Sequence, residues 1–108
     1  MELEVPSDQL NKMFYYKLHK TDFGTMIAVC DKELSGKTLK NKDLDFFVNP
    51  RFYGDEKIDE KILELIKKSN DGNVIGNKIV ELLLKNKVIS NNSIIRIGKI
   101  KHAQFTIL

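Results

Sequence analysis

The sequence has one cysteine, Cys30, two prolines and no tryptophan among its 108 residues. A single cysteine cannot form an internal disulfide bond and has no second thiol for a structural zinc pair, so neither redox chemistry nor a metal ion is expected. No apolar run of about 18 residues is present, as a membrane-spanning helix would need. Met1 to Lys12 lacks the basic and then apolar pattern of a secretion signal. These absences predict a cytoplasmic protein that does not contact a membrane.

The size and composition fit one globular domain. A chain of 108 residues with 42% hydrophobic content can fill a single core. No repeat, low-complexity segment or linker divides the sequence. We therefore expect one domain.

Strand patterns occur at both ends of the chain. Met13 to Lys20 alternates between apolar and polar residues, and Thr25 to Cys30 is apolar on both faces. The turn residues between them predict a hairpin whose second strand is central. Further strands are predicted at Leu44 to Val48, after a loop from Asp31 to Asp43, and at Ile94 to Ile97 and Lys101 to Leu108.

Two helices are predicted in the middle of the chain. Apolar residues at helical spacing form one stripe within Asp55 to Ser69, namely Ile58, Ile62, Leu65 and Ile66. Asn70 to Gly72 breaks this pattern, and Asn73 to Lys87 carries a second stripe of Ile75, Ile79, Leu82 and Leu83. Gly76 would lie inside that helix, where it costs about 1 kcal/mol, so close packing is expected there. The order β-β-β-α-α-β-β predicts an α+β fold, with a mostly antiparallel sheet of about five strands covered by a pair of amphipathic helices.

The charge is unevenly distributed along the chain. Residues 73 to 108 carry six basic residues against one acidic residue, whereas the whole chain has a net charge of +3. Lys78, Lys99 and Lys101 could contact phosphates if the fold gathers them on one face. The alternative is an ordinary solvated, lysine-rich surface.

An aromatic segment follows the third predicted strand. Arg51, Phe52 and Tyr53 lie between Pro50 and Gly54, and an arginine with aromatic rings in such a loop can stack on unpaired bases. The alternative is that Phe52 and Tyr53 close one end of the core.

A glycine-lysine pair resembles part of a phosphate-binding loop. Ser35, Gly36, Lys37 and Thr38 follow an apolar strand, but Asp31 stands where the motif needs its first glycine. No amphipathic helix follows Thr38 either. We therefore expect no nucleotide cofactor, and keep Lys37 as a possible RNA contact.

Five polar residues could form a site if the fold brought them together, namely His19, Asp31, Asn73, His102 and Gln104. Imidazoles and a carboxylate in a cleft can act as an acid and a base. No two of these residues have the spacing of a metal-ligand motif. Hydrogen-bonded surface histidines are the simpler interpretation.

Several short motifs resemble an archaeal family that is known only as a domain of unknown function, number four-two-four. They are His19-Lys20, Gly24-Thr25, Ala28 to Asp31, Gly36-Lys37, Phe52 to Gly54, Asn73 to Gly76 and His102 to Gln104. The family usually has proline where this chain has Lys101, and it tends to begin near Met13. The resemblance therefore implies an extension from residues 1 to 12, a single α+β domain from 13 to 108, and an archaeal cytoplasmic protein.

Three functions follow from these observations. The leading hypothesis is a non-catalytic module that binds RNA or a ribosome-associated component, because small archaeal families of this kind are often associated with translation. It uses Lys37, Arg51, Phe52, Tyr53, Lys78, Lys99 and Lys101. The alternatives are an adaptor that binds another protein through an exposed apolar patch, and a small enzyme with His19, Asp31 and His102 as its acid and base.

Overall fold

The computed structural model describes residues 12 to 107. The predicted extension, apart from Lys12, lies outside these residues. The elements in chain order are β1 Phe14–Thr21, β2 Gly24–Asp31, β3 Thr38–Lys40, β4 Asp45–Phe47, α1 Pro50–Tyr53, β5 Glu56–Ile58, α2 Ile62–Lys67, β6 Asp71–Ile75, α3 Asn77–Lys85, β7 Ile94–Ile97 and β8 Ile100–Thr106. Short 3-10 turns occur at Lys32–Leu34 and Asn91–Ser93.

The main sheet has six strands in the order β5-β1-β2-β6-β8-β7. Four of its five strand pairs are antiparallel, and the central pair of β2 and β6 is parallel. The predicted α+β class and the terminal hairpins are confirmed. The sheet is mixed, however. It gains β5 and β6, which come from segments predicted to be helical or turns, and it lacks the predicted strand Leu44 to Val48, so it has six strands instead of about five.

The first predicted helix, Asp55 to Ser69, is wrong over its first half. Glu56–Ile58 forms the edge strand β5 and pairs with β1, and only Ile62–Lys67 is helical. Asp59 separates the two, since its carboxylate accepts a hydrogen bond from the backbone nitrogen of Lys61 at 2.9 Å. Ile58 and Ile62 are four residues apart in sequence, so their spacing imitates a helix although they lie in different elements.

The second predicted helix is also shorter than expected. Asp71–Ile75 is the buried strand β6, which lies between β2 and β8, and α3 begins only at Asn77. Gly76 is therefore the residue before the helix, with φ of +132°, and not a residue inside it. A Cβ at Gly76 would lie 2.2 Å from Cγ of Asp31, so the expectation of close packing is correct but the position is different. Tertiary pairing overrides the helical pattern of this segment.

One face of the sheet packs against α2 and α3. Ile62 and Ile66 of α2, and Ile79 and Leu83 of α3, are fully buried there, against Phe14, Ile27, Val29 and Val74 from the strands. Leu65 and Leu82 are half-buried against the same core. Ile75, which was assigned to the second helical stripe, lies instead in a core on the opposite face. The helix pair therefore covers one face as predicted, with fewer residues than predicted.

The opposite face is covered by the segment between β2 and β5. In that segment β3 and β4 form a separate two-stranded sheet, and the predicted strand Leu44 to Val48 is confirmed there as Asp45–Phe47. The predicted loop from Asp31 to Asp43 contains a 3-10 turn and β3. Val48 and Tyr53 pack with Ala28, Cys30 and Ile75. No helix within residues 12 to 107 is long and apolar enough to cross a membrane.

Candidate functional site

The candidate site lies on the sheet face that α2 and α3 do not cover. Side chains alternate between the two faces of a strand, and Asn73 has the same parity on β6 as Ile75, which lies in the core of this face. Antiparallel pairing places Gln104 opposite Asn73, and His102 opposite Ile75. On β1, His19 pairs with Met26. The sheet therefore presents polar side chains beyond the edge of this second core.

The short helix α1 holds two aromatic rings over these side chains. The side chain of Asn49 accepts a hydrogen bond from the backbone nitrogen of Arg51 at 2.9 Å, and Pro50 has a fixed φ suited to the first helical position. Gly54 ends the helix with φ of +83°. A side chain at Gly54 would collide with the backbone carbonyl of Tyr16 in β1. Phe52 and Tyr53 are thus placed by a rigid turn packed directly on the sheet.

Tyr53 connects α1 to β6. Its ring is 2% exposed, and its hydroxyl donates a hydrogen bond to Oδ1 of Asn73 at 2.8 Å. Burial raises the pKa of Tyr53, so the hydroxyl keeps its proton. The expectation that this ring closes the core is therefore correct for Tyr53.

His102 is a second partner of the same amide oxygen. Its Nε2 lies 3.1 Å from Oδ1 of Asn73, and its ring contacts Phe46 of β4 with 5.6 Å between centroids. Burial lowers the pKa of His102, so the ring is neutral at pH 7. Its Nδ1 is buried without a hydrogen-bond partner. Because a buried acceptor without a partner costs less than a buried N–H without one, the proton belongs on Nε2, which donates to Asn73.

The orientation of the Asn73 amide follows from these two donors. With its oxygen occupied by Tyr53 and His102, the amide nitrogen makes no hydrogen bond within residues 12 to 107. Asn73 thus offers two N–H donors and little free acceptor capacity.

Phe52 and His19 form a stacked pair beside this network. Their ring centroids are 4.9 Å apart with 26° between the planes, and Nε2 of His19 donates to the backbone carbonyl of Phe52 at 2.7 Å. Phe52 also meets Tyr53 edge to face, at 4.8 Å. Its orientation is therefore held from two sides while it stays half-buried.

An open cleft of about 460 Å³ lies between Phe52 and the ends of β6 and β8. Its lining combines the apolar side chains of Phe52 and Met26 with polar groups from both strands, whereas the ring of Phe105 packs against the helix-side core. The remaining lining residues are Asp71, Gly72, Asn73, Gln104 and Thr106. A cleft with an aromatic wall and a few convergent polar groups is typical of a small-ligand or nucleobase site.

The structure does not bring His19, Asp31 and His102 together. Thr106 of β8 is in register with His19, and His102 lies four residues from Thr106 along the strand, which is about 13 Å. The two histidines are also three inter-strand spacings apart across the sheet, which is about 14 Å. Asp31 has the parity of Val29 and points to the helix side, where its carboxylate accepts hydrogen bonds from the backbone nitrogens of Lys78 and Ile79, both at 2.9 Å. The predicted polar residues are thus divided: Asn73, His102 and Gln104 are neighbours, His19 joins them through Phe52, and Asp31 is a helix cap.

The predicted basic contacts are also divided. Lys78 and Lys101 lie on the helix side and form ion pairs with Glu33 at 3.0 Å and Glu81 at 2.9 Å. Lys99 is exposed and follows β7. Lys37 lies close to Glu33, because the pKa of the Glu33 carboxyl is lowered by Lys78 and also by the charge of Lys37. Arg51, Phe52 and Tyr53 lie on the other face. The seven residues therefore do not form one continuous surface.

The only cysteine is buried at the end of β2. Burial and the nearby Asp31 raise the pKa of Cys30 to about 12, so its thiol is not a nucleophile at neutral pH. Within residues 12 to 107 no group of three or more His, Cys, Asp or Glu side chains is placed to hold a metal ion.

Five residues that line the cleft were not candidates from the sequence, namely Met26, Asp71, Gly72, Phe105 and Thr106. Asp71 was assigned to a helix-breaking turn, and β6 pairs in parallel with a distant strand, so no hairpin turn in the sequence indicates this pairing. The only available signal was the alternation of Asp71, Asn73 and Ile75 with Gly72 and Val74, which is typical of a strand with two different faces.

A mixed six-stranded sheet, with helices on one face and an open polar cleft on the other, defines a small α+β protein. The chain belongs to the family described as Protein of unknown function (DUF424), whose pattern matches residues 18 to 108. This finding confirms the resemblance. No curated protein matches the sequence.

A solved structure supports the same fold. The crystal structure of an uncharacterized conserved protein from Methanopyrus kandleri is similar over 88% of this chain and 91% of that one, with a TM-score of 0.71 and 22% identity. At this identity the likeness defines the fold alone.

Proposed function

We propose that this chain is a non-catalytic cytoplasmic module that binds single-stranded RNA, free or within a ribonucleoprotein of the translation apparatus, through the cleft beside Phe52. The observation that carries the proposal is the half-buried aromatic ring of Phe52 bordering a cleft with the amides of Asn73 and Gln104. Aromatic side chains stack on unpaired bases, and amides form hydrogen bonds with their edges.

Preorganisation supports binding at this place. Phe52 is held by His19 and Tyr53, and the amide of Asn73 is held by Tyr53 and His102. A ligand that enters the cleft does not have to order these groups, so less of the interaction energy is lost on binding. The exposed side chain of Arg51 and the amine of Lys17, which donates to the carbonyl of Arg51 at 2.9 Å, lie next to the aromatic pair and can attract a polyanion.

The separation of the basic residues limits their role. Because Lys78 and Lys101 are ion-paired on the helix side, they do not contact a base in the cleft. Lys99 forms no ion pair within the described part of the chain and is the member of this set that an extended RNA could still reach. A short RNA should depend on the cleft, and a longer one should depend additionally on Lys99.

The test is a fluorescence anisotropy titration of a labelled eight-nucleotide single-stranded RNA of mixed sequence at low salt. Phe52→Leu keeps an apolar side chain but removes the ring, and we expect it to weaken binding by about 1 to 3 kcal/mol with little change in salt dependence. Phe47→Leu is the matched control, because Phe47 is half exposed on β4 and does not line the cleft. Lys99→Glu should instead reduce the salt dependence for a longer RNA.

Two results would contradict the proposal. One is the absence of measurable RNA affinity at low salt, where electrostatic attraction is strongest. The other is equal affinity of the Phe52→Leu and Phe47→Leu variants.

A second candidate function, a protein adaptor, is favoured by exposed apolar side chains. Leu44 is 76% exposed, Phe47 51% and Ile95 59%. Leu44 and Phe47 lie in or next to the β3–β4 hairpin, and Ile95 lies on the edge strand β7. Exposed apolar side chains beside an unpaired strand edge are typical of protein-binding surfaces. Under this alternative Ile95→Lys would abolish capture of a protein partner, and ribonuclease would have no effect on the capture.

A further inference from the structure

The polar groups of the cleft differ in what they can donate and accept. Asn73 presents N–H donors, because Tyr53 and His102 occupy its oxygen. Asp71 lies two residues earlier on the same face of β6, about 7 Å away between Cα atoms. Its Oδ1 accepts a hydrogen bond from the hydroxyl of Thr106 at 2.9 Å, and its Oδ2 makes none within residues 12 to 107. The cleft therefore has a donor and, beside it, a carboxylate that only accepts.

The carboxylate also decides which part of a nucleic acid can enter. Asp71 repels phosphate groups, so the cleft suits a base and not the backbone. Gln104 lies opposite Asn73, and its side-chain amide makes no hydrogen bond within the described residues, so this amide can turn to donate or accept. A base must therefore match the fixed hydrogen-bonding groups of the cleft, which are the N–H donors of Asn73 and the acceptor oxygens of Asp71.

We propose that the cleft selects guanine, an inference that rests on the proposed function. The Watson–Crick edge of guanine presents the acceptor O6, then the donors N1–H and N2–H₂. The amide of Asn73 donates to O6, while Asp71 accepts from N1–H and N2–H₂, and Phe52 stacks on the ring. A carboxylate that accepts two parallel hydrogen bonds combines strength with geometric specificity.

The other bases do not match this pattern. Uracil has a single donor, N3–H, between two carbonyl oxygens, so one of these oxygens would face the carboxylate. Adenine and cytosine each place a ring nitrogen acceptor beside their amino group, and that lone pair would likewise oppose Asp71. Guanine is the base that presents two neighbouring donors, and a polar site rejects a ligand that leaves its groups without partners.

The experiment compares three labelled oligonucleotides: eight uridines, the same chain with one central guanosine, and the same chain with inosine in place of guanosine. Inosine lacks only the N2 amino group. We expect the guanosine oligonucleotide to bind about tenfold or more tightly than the uridine one, with inosine in between. Asp71→Asn should reduce the affinity for guanosine to about that for inosine, and leave the affinity for uridine unchanged or higher.

Asp43→Asn is the matched control, because Asp43 is an exposed residue outside the cleft and the change removes the same charge. It should raise affinity slightly for all three oligonucleotides and preserve their order. Circular dichroism and thermal unfolding will test whether the Asp71→Asn variant is folded. Asparagine still accepts the hydrogen bond from Thr106, so we expect a melting temperature close to that of the parent.

The outcomes separate this inference from the proposed function. Equal affinity for the three oligonucleotides, or an unchanged order in Asp71→Asn, would overturn guanine selection while RNA binding stands. Guanosine monophosphate can also be tested as a competitor of the labelled guanosine oligonucleotide. If it displaces this oligonucleotide at the same concentration as the unlabelled guanosine oligonucleotide does, the site belongs to a free nucleotide, and RNA is overturned as the ligand. No binding of any oligonucleotide or of the nucleotide would overturn both.

Discussion

The hydroxyl of Tyr53 donates a hydrogen bond to Oδ1 of Asn73 at 2.8 Å, although the two residues lie in different elements, 20 positions apart in the sequence. This contact joins the short helix α1 to the central strand β6. It also turns the amide nitrogen of Asn73 away from Tyr53 and His102, so the contact contributes both to stability and to the chemistry of the cleft.

Removing this hydroxyl should affect both properties. We expect Tyr53→Phe to lower the free energy of unfolding by about 1 kcal/mol, because one buried hydrogen bond is lost while Asn73 keeps His102 as a partner. RNA affinity should fall several-fold, since the amide is less firmly oriented. The control is Tyr16→Phe, whose hydroxyl makes no hydrogen bond within residues 12 to 107. Urea denaturation and anisotropy measure the two effects, and equal stability of the two variants would contradict the role of the contact.

Two adjacent leucines of α3 provide a test of the helix-covered core. Leu83 is fully buried, and Leu82 is half-buried at the margin of the same core. Leu83→Ala should cost about 2 to 5 kcal/mol, because it removes apolar contacts and leaves a cavity. Leu82→Ala is the matched control and should cost less than about 2 kcal/mol, since solvent already reaches part of that side chain. Equal losses in denaturation experiments would show that α3 faces the sheet differently.

The terminal hairpins were predictable from the sequence because their patterns are local. β1 alternates along its length, β2 is apolar on both faces, and β7 and β8 are adjacent in the chain. β6 was not predictable in this way. Its pairing with β2 joins residues about 45 positions apart, and Ile75 and Ile79 have a helical spacing although Gly76 separates their elements.

The candidate site was predictable only in part, for the same reason. Phe52, Asn73 and Gln104 were named as candidates in two separate groups, one for RNA binding and one for a polar site. Nothing in the sequence showed that they share a cleft, because α1 meets β6 through tertiary packing. Asp31 was grouped with the histidines because a carboxylate and imidazoles can act as an acid and a base, yet it lies on the face of β2 that is directed toward α3.

Gly76 is expected to tolerate no side chain. Its φ of +132° disfavours other residues, and a Cβ would overlap the carboxylate of Asp31. Gly76→Ala should therefore cost about 3 kcal/mol or more, from backbone strain and loss of the helix cap. Gly36 is the matched control, since it also has a positive φ, +79°, but a Cβ there would meet nothing within 4 Å. Gly36→Ala should cost about 1 kcal/mol.

A double-mutant cycle identifies the cause at Gly76. If the overlap with Asp31 dominates, Gly76→Ala should cost less in an Asp31→Ala background than in the parent, as measured by urea denaturation. Additive losses would assign the whole effect to backbone conformation and contradict the steric explanation.

Asp31 should make stability depend on pH. Burial raises its pKa to about 6, although the backbone nitrogens of Lys78 and Ile79 donate to the carboxylate and oppose the rise. In the unfolded chain the pKa is near its usual value of about 3.9. Between these pH values the folded protein holds a proton that the unfolded chain has lost. The contribution of Asp31 to the free energy of unfolding is thus fully present below about pH 4. It falls by up to about 3 kcal/mol as the pH rises to about 6.

The measurement is the difference in unfolding free energy between the parent and Asp31→Asn at several values between pH 4 and pH 7. Asparagine does not titrate and keeps only one acceptor for the two backbone nitrogens, so the variant should be less stable. The penalty should be largest at pH 4 and should shrink toward pH 7, because only the parent loses stability when Asp31 ionises. Other groups, including His102, titrate in both proteins and cancel in the difference. A penalty that stayed constant, or grew with pH, would show that the two backbone donors outweigh burial and hold the pKa of Asp31 at or below its usual value.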